Sequence, residues 1–286
     1  MTCSVFYESP DVRLLLGSAW DVAASLNDES LDCVVTSPPY WRLRDYGGRP
    51  EQWGQERTVG QYVDRIVGLF GLLHRKLKPG GVAWLNLGDK RVDGQLCGVP
   101  WMVAKDLQSD GWCLRSAVVW HKPNGMPESC TDRVSQNYEQ VFMLTKGLDH
   151  FFDLDPLRVL YDGDRAPSRR ARSGRTNKGN SATGAWSGQH SGRNPGSVWS
   201  IPTQPFPGAH EAVMPLELAR RCVLSSSPEG GLVFDPFHGS GTTAQAAVES
   251  GRRYVGGDIN EDYLNLSLNT RLHNGTLDFG LGGALA

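Results

Sequence analysis

Apolar positions in this chain form short unbroken runs that alternate with stretches of helical spacing. Asp11 to Gly17 and Leu31, Val34 and Val35 read as buried strands, with a short helix from Ser18 to Leu26 between them. From Val59 to Leu77, Tyr62, Ile66, Leu69, Phe70 and Leu73 share one helical face, with Arg65, Arg75 and Lys76 outside it. Lys78-Pro79-Gly80-Gly81 ends that helix. Val82 to Leu87 is the next strand, closed by Gly88-Asp89-Lys90, and Val99 to Leu107 is another amphipathic helix, ending near Gly111. Strands follow at Leu114 to Trp120, Gln140 to Leu144 and Val198 to Ile201, and then a helix from Pro215 through Ser225. The last third reads as a strand at Leu232 to Phe234, a helix from Thr242 to Glu249, a strand from Arg253 to Asp258, and a helix from Asn260 to Leu272. Such alternation predicts an α/β fold with parallel pairing and right-handed crossovers, which gathers the turns at the carboxyl ends of the strands.

Two stretches have no periodicity. Arg42 to Arg57, with Gly47, Gly48, Pro50 and Trp53, reads as a mobile loop. In Phe151 to Ser197, Arg158, Arg165, Arg169, Arg170, Arg172, Arg175, Lys178 and Arg193 are interleaved with Gly, Ser and Asn, and apolar residues nearly vanish. That segment cannot bury enough surface to order itself alone. The Gly-rich tail from Gly275 reads as disordered.

With 286 residues, 39% of them hydrophobic, the chain can build the core of one large α/β domain. A net charge of -2 does not by itself suggest nucleic acid, so the local Arg cluster stands out, being what phosphate neutralisation and guanine-edge readout require. Six cysteines without a Cys-x-x-Cys spacing argue against a zinc site or a disulfide framework and fit a reducing cytoplasm. There is no signal peptide, no apolar run of about 18 residues and no internal repeat.

The chemistry concentrates in two turns. The strand at Leu31 empties into Thr36-Ser37-Pro38-Pro39-Tyr40-Trp41, where each proline lacks an N–H and leaves the Ser37 and Pro38 carbonyls free to accept. A hydroxyl, free carbonyls and the flat face of Tyr40 suit a planar ligand with an exocyclic amino group, the edge of adenine or cytosine. Far down the chain, the strand at Leu232 runs into Asp235-Pro236-Phe237-His238-Gly239-Ser240-Gly241-Thr242-Thr243, with Asp258 about twenty residues beyond. A glycine turn lets backbone approach a nucleoside closely, and the later acid can accept from a ribose hydroxyl pair. The third glycine of the dinucleotide fingerprint is missing and no Gly-Lys-Ser/Thr follows, which disfavours a phosphate-gripping loop.

In this order, the two motifs resemble those of the S-adenosylmethionine-dependent DNA amino-methyltransferases of the β group. The resemblance implies a Rossmann-like class I methyltransferase sheet, circularly permuted so that the catalytic motif precedes the cofactor motif. It divides the chain into a catalytic half at 1–150, a basic target-recognition insertion at 151–197 that folds on DNA, a cofactor-binding half at 198–274 and a flexible tail at 275–286. Thr36, His210, Asp235, Pro236, Phe237, Gly239, Ser240, Gly241, Thr242 and Asp258 are then expected at S-adenosylmethionine. Asp21 stands near the place where the family usually carries Gly-Asp. His210 is also open to a helix-capping reading.

Ser37, Pro38, Pro39 and Tyr40 are the expected catalytic residues. An exocyclic amine is a poor nucleophile because its lone pair is delocalised into the ring. Hydrogen bonds from its N–H groups to the Ser37 side chain and the Pro38 carbonyl localise that pair and aim it at the sulfonium methyl. Tyr40 stacks on the base once it has left the duplex. Double-stranded DNA is the expected partner, contacted by Arg42, Arg44, Lys122, Arg133, Arg169, Arg170, Arg172, Arg175 and Lys178. For Arg42 and Arg44 a solvated basic turn is the alternative, and His121 reads either as a general base or as a hydrogen-bonded structural histidine. No metal is required and no membrane association is expected. A second copy of the chain and a separately acting restriction endonuclease are further partners that the resemblance alone implies.

Ser37 at the first position of the tetrapeptide favours cytosine N4, as in the cytosine-N4 enzymes of restriction-modification systems or phages, with adenine N6 as the alternative. Cytosine-C5 chemistry needs a cysteine nucleophile, usually after proline, and the chain has no Pro-Cys pair. An RNA or protein methyltransferase and an inactive DNA-binding module are the readings from other classes.

Overall fold

The computed structural model describes residues 3–45, 51–160, 192–204 and 213–272. Among these residues β1 (Ser4–Glu8), β2 (Val12–Leu16), β3 (Leu31–Thr36), β4 (Leu77–Leu87), β7 (Cys113–His121), β8 (Tyr138–Thr145), β9 (Val198–Ser200), β10 (Leu232–Asp235) and β11 (Arg253–Asp258) form one nine-stranded sheet. Its order is β1-β2-β11-β10-β3-β4-β8-β7-β9. A small hairpin of β5 (Arg91–Val92) and β6 (Gln95–Leu96) stands apart.

Strands β2, β11, β10, β3 and β4 pair in parallel. Their unbroken apolar runs explain the position: Cys33, Val34 and Val35 are all buried, so β3 needs cover on both faces, as a central parallel strand has. Helices α1 (Ala19–Ser25), α2 (Val59–Lys76) and α3 (Val99–Ser109) pack on one face. Helices α4 (Leu216–Ser226), α5 (Thr242–Glu249) and α6 (Glu261–Thr270) pack on the other. A capping box starts α2, Thr58 accepting from the Gln61 N–H while the Gln61 side chain returns to the Thr58 N–H.

This layering places the site. From β3 the chain crosses to β4 through α2, and from β10 it crosses to β11 through α5 on the opposite face. Adjacent strands β3 and β10 therefore send their chains apart, and a crevice opens at their carboxyl ends.

Several expectations require correction. The edge strand β1, antiparallel to β2, was not anticipated: its apolar run, Val5-Phe6-Tyr7, is only three residues long, and all three are exposed or half-buried. Lys78-Pro79-Gly80-Gly81 does not separate helix from strand, because β4 already pairs at Leu77 with β3 and the four residues form an irregularity within the strand. The β7 and β8 strands pair antiparallel, since no helix joins them to provide a crossover. Lys76 is buried, its ammonium donating to the Leu26 carbonyl at 2.7 Å and to the Asp28 carboxylate at 2.7 Å, which closes the end of α2. Within the stretch expected as a mobile loop Trp53 is a core residue, as is Trp41 just before it. The Arg65 guanidinium lies 4.3 Å from the Trp53 ring centre and bonds Glu56 at 2.8 Å. His210, Arg165, Arg169, Arg170, Arg172, Arg175 and Lys178 lie outside the described residues, as does the tail from Gly275.

Candidate active site

Both turns open into one cleft of about 630 Å³, a size suited to small-molecule binding. Ser37, Pro38, Pro39 and Tyr40 line one side; Asp235, Pro236, Phe237, Gly239, Ser240, Thr242 and Asp258 line the other. The two strands that carry them are clipped at the base of the cleft. Fully buried Thr36 donates from Oγ1 to Asp235 Oδ1 at 2.7 Å, so Thr36 stands behind the cleft wall and not in it.

Asp235 is nearly inaccessible and accepts three hydrogen bonds: from Thr36, from the Phe237 N–H at 3.0 Å and from Thr243 Oγ1 at 2.9 Å. Burial nonetheless pushes its carboxyl up to about 6, outweighing those bonds, with the nearby Asp258 charge adding to the effect. The bonds shape the turn that follows. Gly239 and Gly241 adopt left-handed φ of 51° and 82°, and Gly241 caps α5. Gly241 itself does not line the cleft; a Cβ there would stand 2.8 Å from the Ser267 Cβ. Behind the turn, buried His238 shares hydrogen bonds with the Tyr254 hydroxyl at 2.9 Å and the Ser267 hydroxyl at 2.7 Å.

The Asp258 carboxylate faces the cleft, held by the Gly239 N–H at 2.9 Å and the Asn260 N–H at 2.8 Å. Ile259 and Tyr263 lie beside it. Phe237 meets the Trp53 ring edge-on at 5.0 Å, so the loop after the catalytic turn supplies part of the wall on the cofactor side.

On the other side Tyr40 is fixed by residues that reasoning from sequence missed. Its hydroxyl donates to Glu139 Oε2 at 2.6 Å and lies 3.2 Å from Ser37 Oγ. Asn86 Nδ2 reaches Glu139 Oε2 and the Tyr40 hydroxyl, each at 2.8 Å, and Ser37 Oγ at 3.3 Å. Gly88 allows the ring its place, because a Cβ there would stand 2.6 Å from the Tyr40 ring. Burial, and then the Glu139 charge, hold the Tyr40 phenol well above its ordinary value, so it remains a donor. No donor among the described residues reaches the Pro38 carbonyl. One faint signal marked these partners in the sequence: Asn86 is the lone polar residue in the buried run Trp84 to Leu87.

The expected cationic residues separate. Arg44 and Lys122 line the cleft; Arg42 and Arg133 do not. Lys122 forms an ion pair with Glu139 and lies 4.6 Å from the Trp120 ring centre. Arg133 pairs with Glu128 on its own loop. His121 is 3.1 Å from Ser200 Oγ and outside the cleft lining, which favours its structural reading. Asp21 also stays outside the lining, accepting from the Ser18 hydroxyl at 2.8 Å at the start of α1.

Comparison with known proteins agrees with this arrangement. The DNA methylase family pattern for N6 and N4 enzymes matches residues 31–269. The Type II methyltransferase M.SmaI of Serratia marcescens is 37% identical, covering 89% of each chain, and M.Cfr9I of Citrobacter freundii is 36% identical, covering 90% of this chain and 86% of its own. The fold matches the cytosine-N4-specific PvuII DNA methyltransferase with a TM-score of 0.70 at 18% identity, over 97% of this chain and 90% of that one. A protein of Thermus thermophilus assigned as a DNA modification methylase, solved with S-adenosyl-L-methionine, matches with a TM-score of 0.62 at 28% identity, over 92% and 95%. With both motifs facing one cleft, and a family pattern spanning the strands that carry them, this chain belongs to the N6/N4 DNA methylase family.

Proposed function

We propose that the chain transfers the methyl group of S-adenosylmethionine to the exocyclic N4 amine of a cytosine flipped out of double-stranded DNA. The observation that carries this reading is the single cleft at the β3/β10 divergence, with an amine-binding turn on one wall and a nucleoside-binding turn on the other. S-Adenosylmethionine supplies the electrophilic methyl. Asp258, its carboxylate held by two backbone N–H groups, accepts from the ribose hydroxyls. Ser240, Thr242 and the amino end of α5 hold the amino-acid end of the cofactor, where the helix dipole favours its carboxylate. Asp235 shapes that turn from behind.

Ser37 and the Pro38 carbonyl, which no donor among the described residues reaches, take the two N–H hydrogens of the target amine, while Tyr40 stacks on the ring. Ser37 favours cytosine over adenine at this position; adenine N6, served by the same geometry, is the alternative. Arg44 and the Arg-rich stretch within 151–197 hold DNA phosphates. Lys122, already paired with Glu139, acts in the base pocket and not on phosphate. The protein works in a reducing cytoplasm, in keeping with six free cysteines, and no helix among the described residues is long and apolar enough to cross a membrane. A separately acting restriction endonuclease, and pairing of two copies of the chain, complete the proposal.

The double variant Ser37→Ala with Tyr40→Ala is expected to retain cofactor affinity within about threefold, by calorimetry, and to lose methyl transfer to DNA by at least about 10²-fold. Transfer at the wild-type rate by that variant contradicts the assignment of the turn.

A further inference from the structure

We propose that Glu139 is the terminal acceptor of the proton released during methyl transfer, reached from the amine through the hydroxyls of Ser37 and Tyr40. This rests on amino-methyl transfer at the Ser37 turn and adds the route by which the surplus proton leaves.

The chemistry demands such a route. When the exocyclic nitrogen attacks, an N–CH3 bond forms, the S–CH3 bond breaks, and its electron pair stays on sulfur as a neutral thioether. The nitrogen, which keeps both of its hydrogens, becomes a methylated cation and must lose one. Conjugation with the ring makes that cation a strong acid, so a carboxylate suffices as the final base.

The structure holds a connected line of groups for the transfer. Ser37 Oγ lies 3.2 Å from the Tyr40 hydroxyl, and the Tyr40 hydroxyl donates to Glu139 Oε2 at 2.6 Å. Asn86 sets the direction. Its Nδ2 donates to Glu139 Oε2 and to the Tyr40 oxygen, each at 2.8 Å. The Tyr40 hydrogen is committed to Glu139, so the second lone pair of the Tyr40 oxygen is left to accept from Ser37. Ser37 Oγ then has a lone pair for the amine. The 3.2 Å step is long for two hydroxyls, as such bonds commonly are before substrate arrives.

As Ser37 takes the proton from nitrogen, its own passes to Tyr40 and that of Tyr40 passes to Glu139. Every oxygen except the Glu139 carboxylate ends as it began, and the carboxyl releases its proton to solvent. Among the described residues, the titratable groups bonded to Glu139 are Tyr40, from the turn after β3, and Lys122, from the end of β7. The Lys122 ammonium pairs with the opposite oxygen, Oε1, which leaves Oε2 to the Tyr40 hydroxyl. Glu139 does not touch the substrate: it is a positioning residue that acts through Tyr40 and Ser37. Tyr40 thereby has a second duty besides stacking.

The test compares single-turnover methyl transfer from S-adenosylmethionine to unmethylated double-stranded DNA, at one fixed pH, for wild type, Glu139→Gln, Glu139→Asp and Tyr40→Phe. Glutamine keeps an acceptor for the Tyr40 hydroxyl and phenylalanine keeps the ring, yet each interrupts the proton line. Both are expected to slow transfer by about 10²-fold or more while cofactor affinity stays within about threefold. Glu139→Asp, which keeps a carboxylate, is expected to recover part of the rate. A rate within about threefold of wild type for either Glu139→Gln or Tyr40→Phe overturns the relay, as does a Glu139→Asp no faster than Glu139→Gln. If wild type methylates no base in DNA, the proposed function fails and the relay with it; if wild type transfers and the variants do too, the relay alone fails.

Discussion

Thr36 and Ser37 are neighbours with opposite duties: one hydroxyl is spent inward on Asp235, and the other turns outward into the cleft. That division follows from the pleat, which sends successive side chains to opposite sides at the end of β3. Asp235 carries the consequence for pH. Its folded-state carboxyl titrates at about 6, against 3.8 ordinarily, so folding takes up a proton between those values. The Asp235 contribution to stability therefore falls as pH rises from about 4 to 6. Asp235→Asn is expected to flatten the decline in Tm across that range, measured by thermal unfolding from pH 4 to 7; an unchanged slope contradicts the assignment. Ser37, Pro38, Tyr40 and Asp258 were legible as candidates because their chemistry is local to a turn. Glu139 and Asn86 were not, because Asn86 reaches Tyr40 through the pairing of β3 with β4 and Glu139 through that of β4 with β8, which no local spacing reveals.

At the scale of elements, continuous apolar runs identified the parallel centre of the sheet, helical periodicity identified α2 and α3, and the Ala-rich run after a glycine turn identified α5. The β7 and β8 pair escaped because direction depends on what connects two strands, and the connection at 122–137 contains no helix. The short, poorly covered β1 carries only the three-residue run Val5-Phe6-Tyr7, too brief to mark a strand. The α5 terminus offers an element-level test. Gly241 combines a left-handed φ of 82° with a close approach to Ser267 on α6, whereas Gly230 has a φ of 71° with nothing within 4 Å of an added Cβ. Gly230→Ala is expected to cost about 1 kcal/mol from backbone strain alone. Gly241→Ala should cost about 2–4 kcal/mol in urea unfolding, since overpacking adds to that strain, and should weaken cofactor binding as α5 shifts. Equal costs for the two variants contradict the packing account.

For the whole molecule, the order of the two motifs matters more than either motif. Strands from both parts of the chain interleave in one sheet, with β10 and β11 inserted between β2 and β3, so the cofactor turn at the end of the sequence arrives beside the catalytic turn near its beginning. Composition could not show this: the net charge of -2 hides an Arg-rich segment, and distribution matters more than the sum for a polyanionic partner. The central claim, that the Ser37 turn delivers a methyl group to cytosine N4 in DNA, is tested most directly by nucleoside mass spectrometry of unmethylated double-stranded DNA incubated with the protein and S-adenosylmethionine. N4-methylcytosine is the expected product; N6-methyladenine in its place, or no methylated base at all, contradicts the claim.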